Sequence, residues 1–282
     1  MTMAYSRLVS TDVLAERLGD PRWIVCDCRH DLLDPAAGRR AYVAGHLPGA
    51  HFLDLGQDLS GARTGQNGRH PLPDAQLLVA KLSRLGVGND SQVIAYDARD
   101  GAFAARLWWL LRWLGHEAVA VLDGGMAKWT AEGKPVTAQL PAAKLASFER
   151  RPGALPVDAT FVLTHLDGAG MQLIDARAPD RFAGRNETLD PVAGHIPGAL
   201  NRFYQTNLDQ QGCFKPPHAL QQEFKLLLDG KRPREVVHQC GSGVTACHNL
   251  LAMEHAGLTG SRLYPGSWSE WCADAGRPVA KE

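Results

Sequence analysis

Three short patterns occur twice in this 282-residue chain. Cys26-Asp27-Cys28-Arg29 returns as Ile174-Asp175-Ala176-Arg177, and Gly45-His46-Leu47-Pro48-Gly49-Ala50 returns as Gly194-His195-Ile196-Pro197-Gly198-Ala199. Leu122-Asp123-Gly124-Gly125-Met126 with Trp129 is answered by Tyr264-Pro265-Gly266-Ser267-Trp268 with Trp271. The offsets are 148, 149 and 142 residues. So small a drift across separate landmarks means a duplicated unit, not chance. The length also suits two domains, each large enough to bury its own core.

Within each half, short β-rich runs alternate with helix-periodic segments, the pattern of a parallel α/β sheet. Strands are expected near 23–28, 92–97 and 118–122, and again near 171–175, 235–239 and 261–264. Helices are expected after Ser10 and near Asp74 and Ala102. In the second of these, Leu77, Leu78, Leu82 and Leu85 share a face, Asp74 is placed to cap and Gly86 to stop the helix. Gly133 to Pro156 holds Pro135, Pro141, Pro152 and Pro156 with little periodicity, so it reads as an extended linker. The expected organisation is an N-terminal domain over 1–135, a linker over 136–157 and a C-terminal domain over 158–282.

Charge excludes several classes of function. There are 30 basic and 30 acidic residues, so no footprint for nucleic acid or an anionic membrane stands out. The longest apolar-looking segment, Gly101 to Gly115, is broken by Arg106 and Arg112, too interrupted to span a bilayer. The N-terminus lacks the basic and apolar regions of a secretory signal, and a cytoplasmic location is expected. The six cysteines, at 26, 28, 213, 240, 247 and 272, contain no C-x2-C pair for a zinc ribbon or thioredoxin motif. Cys26 and Cys28 with Asp27 and His30 resemble a ligand set only superficially; one face of a strand packed with Ile24 accounts for both thiols.

The candidate chemistry lies in Val236 to Glu254, VVHQCGSGVTACHNLLAME. An apolar run meets Cys240 and a glycine-spaced loop, then a helix-periodic stretch with Ala246, Leu250, Leu251 and Met253. Such a turn places the Cys240 sulfur at a strand's carboxyl end, facing the N–H groups of Gly241, Ser242, Gly243, Val244 and Thr245. Gly241 and Gly243 are free to take positive φ, as a nest of inward amides needs. With a helix N-terminus behind it, the thiol is expected to ionise more easily than an ordinary cysteine of pKa about 8.5. A core cysteine would need no such loop. A cysteine phosphatase needs an Arg in the C-x5-R position, and this chain has Ala246 there. The first half has Asp97 in the place of Cys240, so only one half is equipped for nucleophilic chemistry.

The run Cys240-Gly241-Ser242-Gly243-Val244-Thr245-Ala246-Cys247 closely resembles the active-site loop of 3-mercaptopyruvate sulfurtransferases of the rhodanese superfamily, and the paired D-x-R and G-H-x-P-G-A landmarks extend the resemblance over nearly the whole chain. It implies two tandem rhodanese-like domains, each a parallel sheet flanked by helices, and a Cys240 persulfide that carries sulfane sulfur. The first domain would cover the site and supply wall residues. No metal or organic cofactor is implied. The related thiosulfate enzymes typically have Arg and Lys where this chain has Gly241 and Ser242, which suits this loop poorly to a dianionic donor.

The resemblance also implies specific roles. Arg181 matches an arginine that binds substrate, and such a fork suits a carboxylate. A second family arginine follows a Glu matching Glu187; here Thr188 or Leu189 stands there, and Arg185 is the candidate replacement. His46 is implied to reach Ser242, with Asp34 completing a proton relay, although turn-stabilising roles account for His46 and His195 equally simply. Asp175 and Arg177 read as a structural ion pair. Expected partners are a small sulfur donor and a cyanide, thiol or thioredoxin acceptor, with the chain a monomer. A thiosulfate:cyanide sulfurtransferase and a persulfide carrier or redox-sensing binding protein remain alternatives.

Overall fold

Equivalent buried ion pairs mark the ends of two equivalent strands. Asp27 holds Arg29 through Nη2–Oδ2 at 2.6 Å, and Arg29 also donates to Gly45 O at 2.7 Å. Asp175 holds Arg177 at 2.7 Å, and Arg177 donates to Gly194 O at 2.8 Å. In both halves the D-x-R arginine therefore pins the G-H-x-P-G-A turn. The expected structural pairing of Asp175 with Arg177 is present.

The computed structural model describes residues 4–142, 144–167 and 170–282. They form two units: Met1–Gly61, Pro73–Ala154 and Gln210–Cys213 make the first, and Ala62–Leu72, Leu155–Asp209 and Phe214–Glu282 the second. The first contains β1 (Leu8–Val9), α1 (Thr11–Ala15), β2 (Trp23–Asp27), α2 (Ala37–Ala44), β3 (His51–Phe52), α3 (Ala75–Arg84), β4 (Gln92–Tyr96), α4 (Ala104–Trp113), β5 (Val119–Leu122) and α5 (Gly125–Ala131). The second contains α6 (Ala159–Thr164), β6 (Gln172–Asp175), α7 (Pro179–Phe182), β7 (Leu200–Asn201), α8 (Pro217–Leu228), β8 (Val236–Gln239), α9 (Thr245–His255), β9 (Arg262–Leu263) and α10 (Ser267–Trp271). Helices flank each sheet.

Every named strand pair is parallel. The orders are β1-β5-β4-β2-β3 and β7-β6-β8-β9. In the second sheet β6 leads to β7 on one side and the chain returns to place β8 on the other. The crevice beyond the carboxyl ends of β6 and β8 is thus a topological switch point, where open α/β sheets bind ligands. Asp175 of β6 sits in register with Gln239 of β8, and Cys240 follows directly.

The six expected strands form; β1, β3 and β7, of two residues each, carry too little periodicity to be read. Asp74 caps α3 by accepting Gln76 and Leu77 N–H groups, and Leu78 and Leu82 are buried. Leu77 is 73% exposed, so the apolar face is narrower than expected. The two cores repeat one another. Trp129 in the first and Trp271 in the second are fully buried, and each indole N–H donates at 2.8 Å to a proline carbonyl, of Pro135 and Pro278.

Two segments depart from a simple division. Residues 136–154 belong to the first unit instead of hanging between domains. Thr137 pairs with His46, Ala146 N donates to Ser83 O, Arg151 N donates to Leu114 O and Phe148 is buried. The backbone groups of this strap find partners on the unit they cross. Ala62–Leu72, from the first half of the sequence, packs in the second unit.

Candidate active site

Cys240 leaves β8 at the switch point with its backbone fixed on both sides. Its N–H donates to Ser267 Oγ at 3.1 Å, and its carbonyl accepts from Trp268 N at 3.0 Å. Ser267 holds φ 55°, where its first-unit counterpart by repeat, Gly125, also has φ 55°. That left-handed turn aims the Ser267 hydroxyl at the Cys240 amide. Gly243 N–H points at Cys240 Sγ, 3.2 Å away, so the loop does present an amide to the sulfur.

The two loop glycines serve different needs. Gly243 has φ +75°, and a Cβ there would lie 2.3 Å from Pro265 O, so both conformation and space demand glycine. Gly241 is not in the left-handed region; its missing side chain instead leaves room above the loop. A Cβ on Gly241 would lie 2.7 Å from Nη2 of Arg69, and 3.5 and 3.6 Å from Nη2 and Nη1 of Arg181. Two guanidinium groups therefore lie over the residue that follows Cys240. Val244 is buried ahead of α9, and Thr245 is its first residue. Cys247 is buried two turns from Cys240 in chain order, its thiol donating to Gly243 O at 3.3 Å.

The arginines end a ladder of alternating charge. Asp175 pairs with Arg177, Arg177 approaches Glu187 at 3.4 Å, Glu187 accepts from Arg181 at 2.8 Å, and Arg181 reaches Asp190 at 3.3 Å. Arg69 closes the series on the other oxygen of Asp190. The carboxylate side chains of Glu187 and Asp190 are 2% exposed, whereas those of Arg181 and Arg69 are 19% and 23% exposed. The ladder buries its acids together with Arg177 and leaves only Arg181 and Arg69 partly exposed. Bonds from Arg181 hold the Glu187 carboxyl below the usual carboxylate range against the opposing cost of burial, while burial leaves Asp190 raised.

Ser242 Oγ lies 2.8 Å from Nδ1 of His70, both residues being buried. His70 stands where His46 was expected. His46 spends its ring nitrogens within the first unit, Nδ1 on Tyr42 O at 2.8 Å and Nε2 on Gln139 O at 3.1 Å, and stacks on Tyr42. His195 repeats this arrangement with Phe182. Both are turn-stabilising histidines. Asp34 is half exposed and pairs with Arg40, so it completes no relay through His46. Arg185 is exposed, its N–H on Asp180 O; the second cation at the loop is Arg69. The signal that was missed is the run Gly68-Arg69-His70-Pro71, a cation and a base side by side in a segment without periodicity.

In the first unit Asp97 occupies the place of Cys240. Its carboxylate accepts N–H groups from Arg99, Gly101, Phe103 and Ala104 at 2.8 to 3.2 Å. Asp97 O and Cys240 O accept equivalent bonds, from Met126 and Trp268. The same loop architecture thus gathers its amides around an anion. Burial pushes the Cys26 thiol up to about 12 and Cys28 well above its ordinary value, which suits core packing. Among the described residues, no group of three or more His, Cys, Asp or Glu side chains is placed to hold a metal, and no helix is long and apolar enough to cross a membrane.

A duplicated parallel sheet with a loop cysteine at one switch point defines a class: the chain belongs to the rhodanese-like domain family, whose profile matches residues 10–132 and 158–274. It is 50% identical over 281 residues to the Pseudomonas aeruginosa protein named "Probable 3-mercaptopyruvate sulfurtransferase", covering 99% of each chain. It is also 35% identical over 281 residues to thiosulfate sulfurtransferase of Bos taurus, covering 95% of this chain and 92% of that protein. The solved structure of 3-mercaptopyruvate sulfurtransferase from Leishmania major superposes with a TM-score of 0.87 at 27% identity, covering 97% of this chain and 76% of that one.

Proposed function

We propose that this chain, an enzyme of the sulfurtransferase class, takes the thiol sulfur of 3-mercaptopyruvate onto Cys240, where it becomes the sulfane sulfur of a persulfide, and passes it to a thiophilic acceptor such as cyanide, a small thiol or reduced thioredoxin. The observation that carries this reading is the Cys240 sulfur beside the Gly243 amide, with two outward-turned guanidinium groups over the next residue. The amide and the helix N-terminus favour negative charge at sulfur. The guanidinium groups favour a carboxylate.

In the first half-reaction the Cys240 thiolate attacks the donor sulfur. An S–S bond forms, the donor C–S bond breaks, and its electron pair stays with carbon as the enolate of pyruvate. Arg181 holds the carboxylate. Ser242 gives a proton toward the ketone-derived oxygen, and His70, 2.8 Å behind it, restores that proton. Cys240 persulfide remains. In the second half-reaction the acceptor attacks the outer sulfur, the S–S bond breaks and the Cys240 thiolate returns, a ping-pong course. No step calls on a metal or organic cofactor. A monomer acting in the cytoplasm is the working context of this reading.

The test compares kcat/KM for 3-mercaptopyruvate and thiosulfate with one acceptor, using Cys240→Ser as the blank. A preference of about a hundredfold for mercaptopyruvate supports the reading. The reverse preference would make this a thiosulfate sulfurtransferase, and loss of both with stable persulfide loading would make it a carrier.

A further inference from the structure

Behind the Pro265-Gly266 turn the second unit has a cavity of about 410 Å³ that takes no part in the proposed reaction. Pro71 and Leu72 wall it on one side, on the segment that carries His70, and Tyr264 to Gly266 with Glu270 wall it on the other. Both sides are fastened to the Cys240 loop. The Pro265 carbonyl fills the space that a Cβ on Gly243 would need. Ser269, the residue before Glu270, accepts Arg69 N–H at 3.0 Å and donates its own N–H to Gly241 O at 2.9 Å.

The cavity offers charge of one sign. Glu270 and Asp158 line it, and no Lys or Arg does. Gly266 makes room for the first of these acids, since a Cβ there would overlap Glu270 Oε2, so the carboxylate rests against the backbone of the wall. Asp158 is exposed and caps α6 through Oδ1, accepting Phe161 N–H at 2.7 Å. Tyr264 is fully buried, and its hydroxyl closes no hydrogen bond of good geometry. Burial, then the neighbouring Glu270 carboxylate, raises its pKa, and Asp158 acts in the same direction. The acids that act on the phenol are thus the two that line the cavity, which sets the hydroxyl end of the ring toward it. Arg277 acts in the opposite direction from outside the lining, held by Asp274 at 3.4 Å and by Glu270 O at 2.8 Å.

The geometry points to a binding site for a primary alkylammonium group, with the ammonium between Glu270, Asp158 and the Tyr264 hydroxyl and its stem along Pro71, Leu72 and Pro265. An ammonium is a compact charge with three donors, which suits separate oxygen acceptors better than a planar guanidinium fork does. The hydroxyl can accept from it while donating to Glu270, so a buried polar group gains the partner it lacks. Apolar walls suit the methylene stem. A bare divalent ion asks for more oxygen ligands, and among the described residues no group of three or more His, Cys, Asp or Glu is placed to hold a metal. Because Pro265 and Ser269 join the cavity wall to the Cys240 loop, occupancy alters the reactivity of Cys240. The site stands whichever sulfur donor the enzyme uses.

The experiment measures binding of 1-pentylamine to the full-length protein by saturation-transfer NMR, with 1-pentanol and pentanoate as controls on the same stem. The wild type is expected to bind the amine saturably and about tenfold more tightly than the alcohol, with no binding of pentanoate. Glu270→Gln is expected to weaken the amine about tenfold, the loss of one charge-assisted contact. Tyr264→Phe is expected to weaken it about threefold without lowering the thermal midpoint, since the hydroxyl it removes has no good partner. Saturating amine is expected to change the rate of Cys240 alkylation by iodoacetamide at least about twofold, read on the Cys240 peptide by mass spectrometry, and Glu270→Gln to lose that response at the same amine concentration. An acetylated, amidated tripeptide with a central lysine separates two sources of the group: tighter binding than pentylamine assigns it to a protein side chain, weaker binding to a free amine. Equal affinity for amine and alcohol overturns the proposal, as does an affinity unchanged in both variants. An alkylation rate indifferent to bound amine overturns the coupling to Cys240.

Discussion

His70 and Ser242 are 172 residues apart in the chain, yet His70 Nδ1 and Ser242 Oγ are separated by 2.8 Å. A hydroxyl and an imidazole at that distance, beside a loop cysteine, are within reach for proton transfer, and the proposed function uses them as the path to a developing enolate.

If that path operates, Ser242→Ala and His70→Asn each lower kcat for mercaptopyruvate by about 10- to 100-fold, and the double variant is no worse than the poorer single one. Iodoacetamide labelling of Cys240 changes little. Independent, multiplying effects would show that the pair does not act as a unit.

His46→Gln separates the two histidines. It removes buried bonds to Tyr42 O and Gln139 O, costing about 1–3 kcal/mol in chemical denaturation. Donor kcat/KM remains at the wild-type value in the folded variant. A selective loss of turnover without loss of stability would return His46 to the chemistry.

Gly243→Ala is expected to be inactive and unstable, since its Cβ meets Pro265 O and φ is +75°. Ser267→Gly keeps the left-handed backbone but loses the hydroxyl that accepts Cys240 N–H, so it should fold while leaving Cys240 less well fixed. A fall in kcat with a thermal midpoint close to wild type is the expected signature.

His238, buried in β8 with Nε2 3.2 Å from Met253 Sδ, has its pKa pushed down to about 3 by loss of solvent. The unfolded chain takes up a proton below its ordinary value of about 6.5, and the native state does not. Stability due to this residue is therefore full above pH 6.5 and falls as pH drops toward 3. Urea midpoints across that range should show a shallower acid-side slope in His238→Phe; an unchanged slope would assign the acid sensitivity elsewhere.

Much of the scaffold was legible because it is local or repeated. Asp74 announces a helix start by offering an acceptor to free amides, and the D-x-R spacing places an arginine to fold back on its own aspartate. Asp97 and Cys240 could be equated because strand and helix signals flank both. Leu77 misled because period alone does not say how wide a face the sheet covers. Arg185 misled because spacing from Glu187 does not give direction; its side chain faces solvent.

By itself the sequence determined the duplication, the parallel strands, the cysteine at the end of one strand and the glycine-spaced loop after it, all consequences of short-range pattern and backbone sterics. Only the tertiary structure decided that His70 serves Ser242 and that Arg69 joins Arg181 over Gly241. Those contacts cross most of the chain and come from a segment with no periodicity, so nothing local records them. They exist because Ser269 anchors that segment and Asp190 gathers both cations, and packing alone assembles those partners.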